Sequence, residues 1–300
     1  MPLRIVVTGA SGQLGAYVLD RLGPTGHEVI GWSRSAPGHR AGFPIEAVDL
    51  LDLEAIGRAF ERAQPDAILH LAAISSVDQA FRDPKAAFTV NAKATGFIAA
   101  RASLMGCRVV FASTDMVFDG LRGWREEDDD AEPVSTYGAS KKEGERQSLL
   151  PYPGLLHNAV VRLSLLYGPS RIEKPTTLDR VFDALRAGQP QAFFADEFRT
   201  PLDYATAADG LVRMVEERDH SGVFHLGGPE RLTRFEMMGR LALHAGLPVH
   251  LISQNRQADV PAPEPRPRDI SLDSTRIEEA LPGFSRPTLE AGLDRCRAEP

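Results

Sequence analysis

The sequence predicts an α/β fold: a doubly wound parallel sheet followed by a smaller C-terminal substrate-binding lobe. Three observations carry that expectation. The first half alternates short β-branched runs with longer stretches of helical periodicity, as in a parallel sheet wrapped by helices. A glycine-rich turn, Thr8-Gly9-Ala10-Ser11-Gly12-Gln13-Leu14-Gly15, lies at the first strand–helix junction. After Gly168 the alternation loosens. The expected division is residues 1–165 for the sheet domain and 166–300 mainly for the lobe, with a strand near 222–227 returning to the sheet.

Residues 3–7 read as the first strand, 14–22 as the helix after it and 27–32 as the second strand. A helix over 53–63 and a third strand over 67–70 follow. Asp83 as N-cap and Pro84 in the first turn begin a long helix over 84–105. The fourth strand is expected at 108–112, the next helix at 135–150 and the next strand at 159–166. The acidic stretch 124–133, with Glu126 to Asp130, reads as a surface loop of solvated charge. Beyond Gly168, residues 178–187, 207–217 and 235–245 look helical, 222–226 looks like a strand, and 261–267 is a proline-rich turn region.

With 300 residues, 43% hydrophobic and 25% charged, the chain has ample material for a core. A net charge of −7 argues against nucleic-acid binding. Two cysteines, Cys107 and Cys296, suit a reducing compartment and form no metal-ligand cluster. Cys107 precedes the apolar run 108–111 and reads as a core thiol. The chain shows no leader and no 18-residue apolar span, so no membrane association is expected and the cytoplasm is the expected compartment.

Glycines at 9, 12 and 15 between a strand and a helix provide the tight turn, backbone approach and helix packing that a Rossmann dinucleotide site needs. The helix N-terminus adds backbone N–H groups for phosphate. Gly9, Ser11, Gly12, Gln13 and Leu14 are therefore the candidate pyrophosphate cradle. The second strand ends in Gly31-Trp32-Ser33-Arg34-Ser35, with no acid for a ribose diol. Ser33 and Arg34 suit a 2′-phosphate, which favours NADP(H), with NAD(H) as second candidate. Asp49-Leu50 could meet the adenine; a helix-capping role competes for Asp49, although Asp52 fits that cap better. Ala72 and Ala73 let a cofactor approach the backbone, and simple packing explains them almost as well. His70 reads as a satisfied strand-end histidine rather than a catalyst.

Tyr137 and Lys141, in Tyr137-Gly138-Ala139-Ser140-Lys141, share one helix face. A phenol near pKa 10 is a poor acid, and a nearby ammonium favours its ionised form. Lys141 could do this while bonding a nicotinamide ribose, and Tyr137 could protonate the oxygen formed as hydride reaches a carbonyl carbon. Taken alone, an exposed helix pair would be the better account. Ser113 and Thr114 change that balance, because they follow the fourth strand where ligands of doubly wound sheets gather.

On these residues the chain resembles the extended short-chain dehydrogenase/reductase family, and within it the dTDP-4-dehydrorhamnose reductases and their sugar-nucleotide-binding relatives. Segments 8–15, 75–80, 113–120, 137–145, 162–169, 199–201 and 224–228 carry the resemblance, 113–120 most specifically. It implies an NADPH-dependent reductase of a 4-keto sugar nucleotide, with Thr114, Tyr137 and Lys141 as the catalytic set. It further implies that Thr114 and Asp115 touch the sugar, that Ala72, Ala73 and Ala112 line the cofactor, and that Asn91 steadies the helix beside the site. Arg199 would lie near the substrate's diphosphate, with an internal loop salt bridge as its competing account. A homodimer is the family-level expectation.

Three departures bear on the sugar. Met116 stands where the reductases carry an aromatic, and Leu165 stands where a tryptophan packs on the sugar. Residues 196–201 replace a glycine-containing segment. A dehydratase is disfavoured, because Asp115 is followed by Met116 rather than an acid. The alternatives that stay open are a sugar-nucleotide epimerase and a non-catalytic NADP-binding subunit resembling the β subunit of methionine adenosyltransferase.

Overall fold

Arg4–Thr8 (β1) runs through the glycine-rich turn into Gln13–Leu22 (α1), and the strand–helix alternation then repeats. The computed structural model describes residues 1–34, 37–150 and 158–298; Ser35 of the 31–35 motif lies outside the described residues. Glu28–Ser33 (β2), Gly38–Arg40 (β3), Phe43–Ala47 (β4), Leu53–Ala63 (α2) and Ala67–His70 (β5) follow. Then come Val77–Arg82 (α3), Pro84–Phe88 (α4), Thr95–Leu104 (α5), Arg108–Thr114 (β6), Thr136–Ser148 (α6) and Ala159–Leu163 (β7). The second half contributes Leu166–Tyr167 (β8), Thr177–Arg186 (α7), Gln191–Phe194 (β9), Phe198–Arg199 (β10), Leu202–Asp203 (β11) and Tyr204–Glu216 (α8). Gly222–Leu226 (β12), Leu232–Thr233 (β13), Arg234–His244 (α9), Ile252–Asn255 (β14), Thr275–Ala280 (α10) and Leu289–Ala298 (α11) complete the described chain.

Eight strands form the main sheet in the order β12-β7-β6-β5-β1-β2-β4-β3, parallel throughout except for β3 on β4. The doubly wound α/β expectation is borne out. Winding reverses between β1 and β5, so the crevice beyond their carboxyl ends is the ligand position this topology provides. The strand at 222–226 does return to the sheet, pairing with β7 from Gly222↔Ala159 to Leu226↔Leu163.

β6 is buried along all seven residues, as expected of a central strand covered on both faces. One face packs through Ile5, Val7, Val110 and Val161 against Tyr17, Leu19 and Leu211. The other packs through Val6, Ile68 and Val109 against Ile56, Phe60 and Ile98. A third apolar cluster, with Leu178, Phe182, Met237, Leu241 and Leu293, joins α7, α9 and α11.

Three expectations are corrected. The helix over 84–105 is interrupted by a π turn at Thr89–Ala94, the segment that carries Asn91. The stretch 38–47 supplies two strands that the short apolar pattern did not signal. The acidic stretch is not uniformly solvated: Glu127 is buried and accepts the backbone N–H of His225 at 2.8 Å. A buried amide needs an acceptor, and a charge count cannot show which carboxylate provides it.

Two glycines of the first turn are dictated by space. Gly9 has φ +69°, and a Cβ on it would stand 2.9 Å from the Ala72 nitrogen. A Cβ on Gly15 would stand 2.3 Å from the Gly9 carbonyl oxygen. Gly15→Ala is therefore expected to cost about 1–3 kcal/mol through overpacking. Gly23→Ala, at a helical φ with nothing within 4 Å of the added carbon, is the control. Equal urea midpoints for the two variants would refute this account.

Candidate active site

At the exit of β1 the helix α1 begins without a side-chain cap, because its N-cap is Gly12. The starts of α2, α6, α7, α8 and α9 are each capped by a side chain: Asp52, Ser135, Thr176, Asp203 and Thr233. The first amides of α1 are thus left to an external acceptor such as phosphate. Ser11 is exposed beside them, and Leu14 packs toward the sheet. Gln13 can offer only its backbone, since its side-chain amide donates to Ser170 Oγ and, at 2.6 Å, to the Lys174 carbonyl.

Thr8 Oγ1 accepts the N–H groups of Leu71 and Ala72, each at 3.1 Å, which ties the exit of β5 to the glycine turn. Ala72 and Ala73 are half-buried there, and Ala112 is buried at the end of β6. At the end of β2, Ser33 is buried and Arg34 is exposed. Asp52 caps α2 through Glu54 N and Ala55 N, so the capping alternative falls to it rather than to Asp49. Among the described residues the Asp49 carboxylate accepts only the nearby Leu51 N–H at 3.0 Å, and Leu50 is buried. His70 bonds Thr8 Oγ1 at 2.7 Å and Thr95 Oγ1 at 3.0 Å, and burial holds it neutral by lowering its pKa to about 3.

Ser135 starts α6 by accepting the Gly138 N–H, and α6 carries Tyr137 and Lys141 on one face. A Cβ on Gly138 would stand 2.1 Å from the Met116 carbonyl oxygen, so glycine lets the helix close on the residues after β6. Burial pushes the Tyr137 phenol up to about 12, while a hydrogen bond with Thr114 works in the opposite direction. Lys141 is buried, donates to the Ala112 carbonyl at 2.7 Å and lies 3.9 Å from the Phe111 ring centre. Its pKa falls to about 7 through burial, against the pull of Glu145. The expected lowering of Tyr137 by Lys141 is therefore absent in this state: burial dominates, and the ammonium is committed to Ala112.

The two hydroxyls at the end of β6 diverge. Ser113 donates to Glu145, which is held by Arg162 at 2.8 Å. Thr114 faces Tyr137, accepts the Met116 N–H at 3.2 Å and donates to Asp115 at 3.3 Å. Asn91 bonds Ile74 through both its amide atoms and donates to Ser140 Oγ at 2.9 Å, so it links the exit of β5 to α6. Glu145 and Arg162 were missed as site residues; the signal was Glu145 one turn beyond Lys141, in the same motif.

Asp115 is buried and accepts Ser164 Oγ at 3.2 Å. Burial pushes its carboxyl up to about 6 despite Arg199 at 3.6 Å. Arg199 is itself buried, bonded to Glu197 at 3.0 Å and to the Phe198 carbonyl at 3.0 Å. The internal salt bridge is the account this geometry supports. Leu165 is half-buried and packs on the third apolar cluster.

The family model described as the RmlD substrate binding domain matches residues 3–299. The chain belongs to the RmlD substrate-binding family. It is 32% identical over 299 residues to the probable low-salt glycan biosynthesis reductase Agl14 of Haloferax volcanii, covering 97% of this chain and 96% of that one. It is 31% identical over 282 residues to the methionine adenosyltransferase 2 subunit beta of Bos taurus, covering 92% and 81%. The dTDP-4-dehydrorhamnose reductase of Bacillus anthracis, solved in complex with NADP, shares the fold with a TM-score of 0.87 at 24% identity, each chain covered in full.

Within this RmlD-family chain, no described helix is long and apolar enough to cross a membrane, and no metal-ligand group occurs among the described residues. Asp115 is the titrating group of its site with the clearest consequence. It ionises near pH 4 in an unfolded chain but near 6 in the fold. Between those values the folded state holds the extra proton, so this contribution to stability declines as pH rises through the window. Asp115→Asn removes it. From pH 4 to 7 the variant should gain on wild type by on the order of 3 kcal/mol in urea unfolding. A stability difference that does not change with pH would contradict the assignment.

Proposed function

We propose that the protein is an NADPH-dependent reductase of a 4-keto sugar nucleotide or a related keto sugar. The pairing of Thr114, at the carboxyl end of β6, with Tyr137 of α6, the helix that also carries Lys141, carries this reading. The uncapped start of α1, the turn at Gly9 and the small side chains of Ala72, Ala73 and Ala112 fit a dinucleotide. The reductase name of the Haloferax volcanii relative and the NADP in the Bacillus anthracis structure support it.

A bound NADPH would supply hydride to the carbonyl carbon. The amides of Ser11 to Leu14 would bind its pyrophosphate, Ser33 and Arg34 would hold its 2′-phosphate, and Asp49 with Leu50 would meet its adenine. Lys141 would bond its nicotinamide ribose. Thr114 orients the carbonyl oxygen, with Asp115 and Leu165 against the sugar. Tyr137, kept protonated at neutral pH by burial, gives its proton to that oxygen, and the Thr114 hydrogen bond, which acts to lower the Tyr137 pKa, stabilises the phenolate left behind.

A regulatory subunit is the second reading. It is favoured by the similarity to the methionine adenosyltransferase β subunits, and by Met116, whose sulfur lies 3.7 Å from an Arg199 nitrogen where an aromatic was expected.

NADPH oxidation at 340 nm with dTDP-4-dehydro-6-deoxyhexoses tests the proposal. Tyr137→Phe should lower kcat by roughly 10²–10⁴-fold while the Kd for NADPH stays within a few-fold. Tight NADPH binding without turnover, with stable co-purification of a partner enzyme, would move the assignment to the regulatory subunit. Arg34→Ala should weaken NADPH binding by about 10-fold or more and leave NADH binding unchanged. An equal change for both cofactors would remove Arg34 from the 2′-phosphate.

A further inference from the structure

A small cavity of about 100 Å³ lies beside Leu165, lined also by Leu178, Tyr204, Arg234, Met237 and Met238. Pockets for whole ligands occupy roughly 300–1,000 Å³, so this volume suits one substituent of a larger molecule. Its lining is divided between apolar and polar surface, and several of its polar atoms are already used. Tyr167 donates to the Leu289 carbonyl at 2.7 Å, and Thr176 to the Gly168 carbonyl at 2.9 Å. Arg234 and the Tyr204 hydroxyl differ, since among the described residues neither side chain makes a hydrogen bond.

Arg234 is the first residue of α9, and its side chain is 23% exposed. Among the described residues its one ion pair is with Glu197 Oε1 at 3.9 Å, and Asp115 acts on it only at longer range. That same oxygen already receives Arg199 at 3.0 Å, and Asp115 is likewise nearer to Arg199. Arg234 is therefore the least compensated cation of the group, and burial acts to lower its pKa. A desolvated guanidinium without a close acceptor is costly, and a bidentate oxyanion is the ligand that best relieves it.

We infer that Arg234 and Tyr204 form a subsite for an oxyanion carried by the ligand, beside the Leu165 position. The inference rests on the sugar-nucleotide reading above and adds what the ligand must bear there. Two sources share this chemistry: the diphosphate of the nucleotide and a carboxylate on the sugar.

Isothermal titration of NADPH-saturated protein with dTDP, UDP-glucose and UDP-glucuronate tests it, using wild type, Arg234→Gln and Arg234→Lys. Arg234→Gln should bind at least about 10-fold more weakly, as a charge-assisted hydrogen bond implies, with partial recovery in Arg234→Lys. Unchanged NADPH affinity and thermal melting would show that the fold and the cofactor site are intact. A loss shared by all three ligands assigns the diphosphate to Arg234. A loss confined to UDP-glucuronate assigns the carboxylate. Equal affinities of wild type and Arg234→Gln for every ligand overturn the inference and leave the reductase reading standing. If wild type binds NADPH but none of the three, the sugar-nucleotide reading fails instead. Inorganic pyrophosphate, titrated in the same way, then decides: binding lost in Arg234→Gln upholds the anion subsite, and binding absent from wild type or equal in both overturns it.

Discussion

The buried ion pair between Glu145 and Arg162 is the contact on which the rest of the site depends. Glu145 sits on α6 one turn beyond Lys141, receives Ser113 from β6, and takes two nitrogens of Arg162 from β7. Arg162 reaches on to His225 Nε2 on β12 at 3.3 Å. His225 directs Nδ1 at the carbonyls of Arg125 and Asp273, so Nδ1 carries the proton and Nε2 accepts. One network thus registers three neighbouring strands and the helix that carries Tyr137. Burying such a pair gives little net stability over an apolar substitute, but losing one partner costs about 3–5 kcal/mol. Its contribution is register: it fixes α6 against the ends of β6, β7 and β12.

The start of α1 is organised by omission. Where α2, α6, α7, α8 and α9 satisfy their first amides with a side chain, α1 presents glycine, and Gln13 turns its side chain away to the 170–174 loop. That loop is further bound to α1 by Arg171 on Asp20 at 2.7 Å. The segment after β8 is in this way fastened to the helix whose N-terminus would hold pyrophosphate.

Burial sets the electrostatics between the two ends. It raises Tyr137 and Asp115 and lowers Lys141, each against the pull of a neighbour. Asp115 and Lys141 are thereby brought toward neutral pH, while Tyr137 is moved away from it and stays a phenol.

Much of this was legible in the chain itself. Strand–helix alternation identified the parallel sheet because local periodicity and turn glycines are local properties: residues 53–63, 67–70 and 222–226 match the observed elements. The glycine turn and the spacing of Tyr137 and Lys141 pointed to the site for the same reason. What tertiary structure decided involves residues distant in sequence. It separated Ser113, turned to Glu145, from Thr114, turned to Tyr137, and it drew Arg199 into a salt bridge. It also set the direction of each pKa shift, since desolvation depends on everything packed around a group. Sequence spacing records which side chains share a face; only packing decides which of them meet a partner and which are left for a ligand.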